Sequence, residues 1–294
     1  MFDLFSSDLF LRAFVGATLV ALLSAPVGYF LVLRAQVFAA EAFMDICFAG
    51  ATGAALVGVA PLFGMVLFSL FSAAGLGAFG GRARGRSVEV GMVLSFALGL
   101  GVLFLNVGTR GSAFHSTAGV GILFGSLMSV QWVDIQRMLV FGGLSLAVLA
   151  VMFRPLLFST IDPDVARARG IPVQGLSVAF LIVLALAAAS CTLVVGVLLA
   201  AALLIAPAAA AVRLTHRPLS ALLLAMAFSL FVAWGGLFLT FAGTWRHPPA
   251  GFSFSVLAAL VYGVSLIVGA IHRGGRLPST HDLNREVSEG GPQW

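Results

Sequence analysis

The sequence contains no lysine: all sixteen of its basic residues are arginine. Charge of either sign is scarce, at 9% of 294 residues against 61% hydrophobic, and mean hydropathy is +1.10. So little charge over so much apolar sequence excludes a water-soluble domain and fits a helical protein that crosses a membrane many times. The missing lysine is read as compositional bias. Cysteine is nearly absent too, and Cys47 and Cys191 both fall in apolar runs. They are expected to be small packing residues, with no disulfide and no tight structural metal site. The glycines of VGTRGSAFHSTAGVG lack the lysine of a phosphate-binding loop, and there is neither an HExxH motif nor a Ser/His/Asp spacing. The chain therefore offers no catalytic residues and no energy-coupling site of its own. The opening MFDLFSSDLF lacks the basic start and the cleavage site of a secretory signal, so the first span is expected to be retained.

What the sequence has in abundance is apolar runs. Candidate spans cover 10–33, 38–59, 61–79, 88–107, 132–153, 174–191, 193–212, 219–243 and 251–271. Residues 112–130 are apolar but short and glycine-rich; they read as a re-entrant piece, or as a tenth span if neighbouring boundaries move. The expected fold is all-α, a polytopic transmembrane helical bundle of about 8–10 spans. No charged residue lies between Arg169 and Arg213. As one helix that stretch would be about 65 Å long, twice a bilayer core, so it must turn, and the turn is expected near Ser190 to Thr192. Small residues at helical spacing, Gly50, Ala54 and Gly58 in the second span and Ser95 and Gly99 in the fourth, are expected to pack helix against helix.

The arginines set orientation. Arg82, Arg84 and Arg86 share one loop; Arg154, Arg167 and Arg169 share another; Arg213 and Arg217, then Arg273 and Arg276, follow apolar runs. The positive-inside rule places all four loops in the cytoplasm, with the N-terminus outside. The net charge of +5 suits anionic lipid and not nucleic acid, because the arginines form no continuous basic face. Residues 1–272 read as one membrane domain and 273–294 as a polar cytoplasmic tail, expected to be disordered or a minor partner contact.

The most polar segment inside the bundle is 154–175, RPLLFSTIDPDVARARGIPVQG. Asp162 suits an N-cap and Pro163 the first helical position. Asp164 lies at the positive end of the helix dipole, and Arg167 and Arg169 toward the negative end. Gly170 can close the helix with positive φ, and Pro172 stops its continuation. The result is a cytoplasmic helix of about two turns, too short to stand alone in water. It needs a partner.

At membrane depth the informative residues are Glu41 and Asp45, in QVFAAEAFMDICFAG. Four positions apart, they share a helix face. A carboxylate pair facing lipid is energetically improbable. The pair reads as a cation-attracting site on a permeation route, since hard oxygen ligands suit divalent ions. The competing reading is a solvated helix end, or pairing with Arg34. Glu89, Asp134 and the loop histidines His115, His247 and His272 carry weaker signals: helix-end charge for the acids, and no ligand set for the histidines.

Four blocks then carry a family resemblance. APVGYFLVLRAQVFAAEAFMDICFAGATG, ILFGSLMSVQWVDI, STIDPDVARARGIPV and VVGVLLAAALLIAPAAAAVRLTHR are similar, in order and spacing, to blocks of the permease subunits of zinc/manganese/iron ATP-binding-cassette importers. The last two are the most specific. The resemblance implies a homodimeric cell-membrane permease that moves divalent metal delivered by an extracytoplasmic binding protein. It implies ATP hydrolysis on a separate cytoplasmic ATPase subunit, coupled through Asp162, Pro163, Ala166, Arg167, Gly170 and Pro172. The chain departs from the family's pattern where Glu41 stands for an Asp, Asp45 for a His and Ala49 for a Pro. Two carboxylates in place of Asp and His favour a harder ion such as manganese over zinc. The alternatives are a permease for a metal chelate of siderophore or cobalamin type, and a stand-alone secondary transporter. The latter should show broken helices at matching points of two halves, and only one apolar hairpin is visible.

Overall fold

The computed structural model describes residues 8–79, 86–110, 130–215, 217–242 and 250–274. Among these residues there are ten helices and no strand. They are α1 (Asp8–Leu33), α2 (Val37–Leu56), α3 (Pro61–Phe79), α4 (Arg86–Arg110), α5 (Trp132–Ile161), α6 (Pro163–Ala168), α7 (Val173–Val195), α8 (Val197–Leu214), α9 (Pro218–Ala242) and α10 (Ala250–Gly274). Eight are long and apolar enough to cross a membrane, and the described part of α3, to Gly77, is a shorter apolar helix. The chain is a multi-pass membrane protein. The 112–130 stretch (described only at Val130), the Arg82–Arg84 loop, His115, His247 and the tail beyond Gly274 lie outside the described residues, as do the side chains of Arg86, Glu89 and His272.

Helices α1, α2, α7 and α8 form the interior, and α4, α5, α9 and α10 expose most of their surface. Composition explains the sorting. The inner helices carry runs such as ALAAASC and AAALLIAPAAAA, whose small side chains let backbones approach. The outer helices display Phe96, Val151 and Ile271, which lipid solvates as readily as a protein core would. Two crossings are especially close. A Cβ on Gly28 would sit 2.0 Å from the Leu204 carbonyl oxygen, where α1 meets α8. A Cβ on Gly50 would sit 2.4 Å from the Gly64 carbonyl oxygen, where α2 meets α3. Only glycine fits at either point.

Three expectations shift. The interruption between α7 and α8 falls at Gly196, with φ +90°, and not at Ser190–Thr192. Ser190 stays helical because its hydroxyl donates to the Leu186 carbonyl 2.8 Å away, whereas Gly196 takes up positive φ without strain. Helix α5 does not end at residue 153, where the expected span stops. It carries Pro155 inside and runs to Ile161, 30 residues in all, or about 45 Å. A proline within a long membrane helix is tolerated where neighbouring groups re-satisfy the backbone. Finally, Gly50 and Ala54 do pack on α3 at Gly64, but Gly58 lies beyond the helix at φ +76°, and Ser95 and Gly99 face outward. The packing face of α4 is offset by two residues, at Ala97 and Gly101. Ala97 is buried, and a Cβ on Gly101 would meet Phe48 and Ala49 of α2.

Candidate functional site

Helix α2 begins after a tight link in which Ala35 holds φ +52° and the Gln36 carbonyl accepts from the amides of Ala39 and Ala40 at 3.0 and 3.2 Å. Glu41 follows one turn in and Asp45 two turns in. Their Cβ atoms are about 5–6 Å apart, as i, i+4 spacing requires. Asp45 is buried, at 8% exposure, and Glu41 is half-buried. Among the described residues neither carboxylate has a hydrogen-bond or ion-pair partner. The close contacts of Ala49 with Gly101 and of Gly53 with Phe104 fix the register of α2 on α4. Asp45 and Ala97, each one turn before those contacts on its own helix, are both buried.

Two carboxylates can offer a divalent cation up to four oxygens at hard-ion geometry. No group of three or more His, Cys, Asp or Glu side chains occurs among the described residues. An ion held by this pair would have to complete its coordination with other donors, such as water or backbone carbonyls. A partial donor set suits a site of passage, where an ion must leave as readily as it enters. Cys47 and Cys191 are buried free thiols, on α2 and α7, in the packing role expected of them.

Arg34 does something the sequence did not reveal. Its Nη2 donates to Ser177 Oγ at 2.9 Å, and its guanidinium carbon lies 5.5 Å from the Phe180 ring centre. Ser177 Oγ in turn donates to the Val173 carbonyl at 3.0 Å. The α1–α2 corner is thereby tied to the start of α7. The one clue in the sequence is that Arg34 is the sole arginine between Arg12 and Arg82.

The polar segment folds as its caps dictate. Asp162 Oδ1 accepts from the amides of Asp164 and Val165 at 3.1 and 3.0 Å, and Pro163 opens a six-residue helix, α6. Asp164 pairs with Arg167 at 3.0 Å. At the other end the Gly170 amide donates to the Arg167 carbonyl at 2.9 Å and the Ile171 amide to the Ala166 carbonyl at 3.0 Å. That is a Schellman closure, with Gly170 at φ +77°. Pro172 caps the start of α7. Ala166 is fully buried and Arg169 lies 5.1 Å over the Phe158 ring of α5, so α6 docks on the end of α5 by one side. Asp162, Pro163, Asp164, Val165 and Arg167 remain exposed. Asp134 likewise caps its own helix: its carboxylate accepts from the Gln131 amide at 3.3 Å and lies 3.6 Å from Arg137.

A multi-pass helical bundle, with an acid pair on an inner helix that is unpartnered among the described residues and a short capped helix docked at one end, has the architecture of a membrane permease. The chain matches the ABC 3 transport family over residues 6–269 and belongs to it. It is 28% identical over 260 residues to the manganese transport system membrane protein MntC of Halalkalibacterium halodurans, covering 88% of this chain and 82% of that one. It is 27% identical over 263 residues to the manganese import system permease protein ScaB of Streptococcus gordonii, covering 89% and 92%. Among solved structures, PsaBC from Streptococcus pneumoniae in complex with Fab superposes with a TM-score of 0.78 at 26% identity, over 90% of this chain and 95% of that one.

Proposed function

We propose that this permease is the membrane subunit of an ATP-driven importer of divalent metal ions, with manganese the favoured cargo and Glu41 and Asp45 on its path. The observation that carries the proposal is the acid pair itself. A buried carboxylate beside a half-buried one, neither neutralised by an arginine among the described residues, is expensive at membrane depth unless a cation visits it. All-oxygen donors favour manganese over zinc, and the names of the two relatives above point the same way. In this reading α6 is a coupling helix. Its exposed face, with Asp162, Pro163 and Arg167, seats in a cytoplasmic ATPase that supplies the energy this chain has no motif to generate. Two copies of the chain enclose the pathway, and an extracytoplasmic binding protein delivers the ion. Residues 1–272 form the membrane domain.

Reconstitution tests this directly. Proteoliposomes carrying the chain with its cognate ATPase, and supplied with the cognate binding protein, are expected to accumulate radioactive manganese only when ATP is present on the ATPase side. Uptake driven by an ion gradient without any ATPase would instead establish a secondary transporter. Uptake of a metal chelate in preference to the free ion would establish a chelate permease.

A further inference from the structure

An apolar groove of about 650 Å³ opens between α8, α9 and α10, walled by Leu214, Phe231, Leu257, Val264, Ser265 and Val268 among others. Its one polar wall residue, Ser265, is satisfied within α10, donating to the Tyr262 carbonyl at 2.6 Å. From Leu257 to Val268 the groove follows α10 for about 16 Å at 1.5 Å per residue, close to half of a bilayer core about 30 Å thick. At the Leu214 end stands Arg213, exposed, its Nη1 donating to the Tyr262 hydroxyl at 3.2 Å and its guanidinium carbon 6.0 Å from that ring. Tyr262, midway between Leu257 and Val268, thus holds the arginine beside the groove, and the guanidinium retains further N–H groups to offer a phosphate. Exposed Arg217 lies four positions on. An apolar trough about half a bilayer core in length, with a fixed cation beside it, matches the chemistry of an acyl chain joined to an anionic headgroup.

We propose that this groove binds an anionic phospholipid, one acyl chain lying along α10 and the phosphate at Arg213. The site is separate from the acid pair on α2 and holds whatever the cargo. Native mass spectrometry of the purified full-length chain, delipidated and then titrated with phosphatidylglycerol or phosphatidylcholine, tests it. The wild type is expected to retain phosphatidylglycerol in preference, and Arg213→Gln to weaken that preference by roughly fivefold. Val264→Trp, which fills the groove, is expected to abolish retention; Leu260→Trp on the same wall replaces it if that variant does not fold. Glycerophosphoglycerol, the headgroup without chains, should not displace the lipid; displacement would mean a simple phosphate site and overturn the proposal. Equal retention of both lipids, insensitive to either variant, would overturn it as well. So would a disulfide between two copies of Val264→Cys with no lipid recovered, since a second copy would then cover the groove.

Discussion

Arg34 and Ser177, 143 positions apart in sequence, meet at 2.9 Å. The contact joins the corner from which α2 departs to the start of α7, which follows directly on α6 and its closing loop. It is therefore a physical link between the helix proposed to meet an ATPase and the helix that carries Glu41 and Asp45. Phe180, beneath the guanidinium, gives the link a face that lysine cannot reproduce.

Replacing Arg34 with methionine is expected to lower metal uptake by the reconstituted complex by roughly two- to thirtyfold, the range typical of residues that carry coupling between sites. ATP hydrolysis is expected to persist. Ser177→Ala, which removes one hydrogen bond and keeps the stacking, should have a milder effect. Paired assays of uptake and phosphate release separate coupling from folding: equal losses in both would assign Arg34 a purely structural role.

For α6, Asp162→Ala removes the acceptor for two free amides, a loss of about 1 kcal/mol for a cap of this kind. Over six residues that is enough to fray the helix. Arg167→Glu leaves the cap intact and reverses an exposed charge. Both variants are expected to co-purify less ATPase than wild type, and Arg167→Glu to do so with an unchanged melting temperature in detergent.

The glycine crossings yield a contrast in stability. Gly28→Ala drives a methyl group into the Leu204 carbonyl and is expected to destabilise the bundle by about 1–3 kcal/mol, as overpacking does. Gly99→Ala meets open space inside a helix and should leave stability unchanged or raise it by up to about 1 kcal/mol, as removing an unhindered helical glycine does. Thermal unfolding of the two variants in one detergent checks both.

The same contrast shows what the sequence made legible. Capping chemistry is local, so Asp162, Pro163 and Gly170 could be placed on their helix from residue type alone. The spans followed from apolar length, and the acid pair from the rarity of charge at membrane depth. What could not be read was pairing between distant segments. Ser95 and Gly99 have the spacing of a packing stripe, but which face of α4 meets α2 depends on Phe48 and on the register of both helices. Likewise, the polar residues near Ser190 suggested a turn, yet a hydroxyl that bonds back to its own helix does not break it, and the backbone freedom lies at Gly196. Arg34 was visible only as an isolated charge, because Ser177 and Phe180 come from a helix more than a hundred residues away.

Glu41 and Asp45 are proposed to meet the transported ion. Manganese uptake by proteoliposomes carrying Glu41→Gln with Asp45→Asn, two near-isosteric changes that remove charge and keep shape, is the most direct test. Uptake is expected to fall by at least about tenfold, the ratio set by losing about 1.4 kcal/mol at a charged site, while ATPase association and thermal stability stay at wild-type levels. Wild-type uptake by that double variant would contradict the claim.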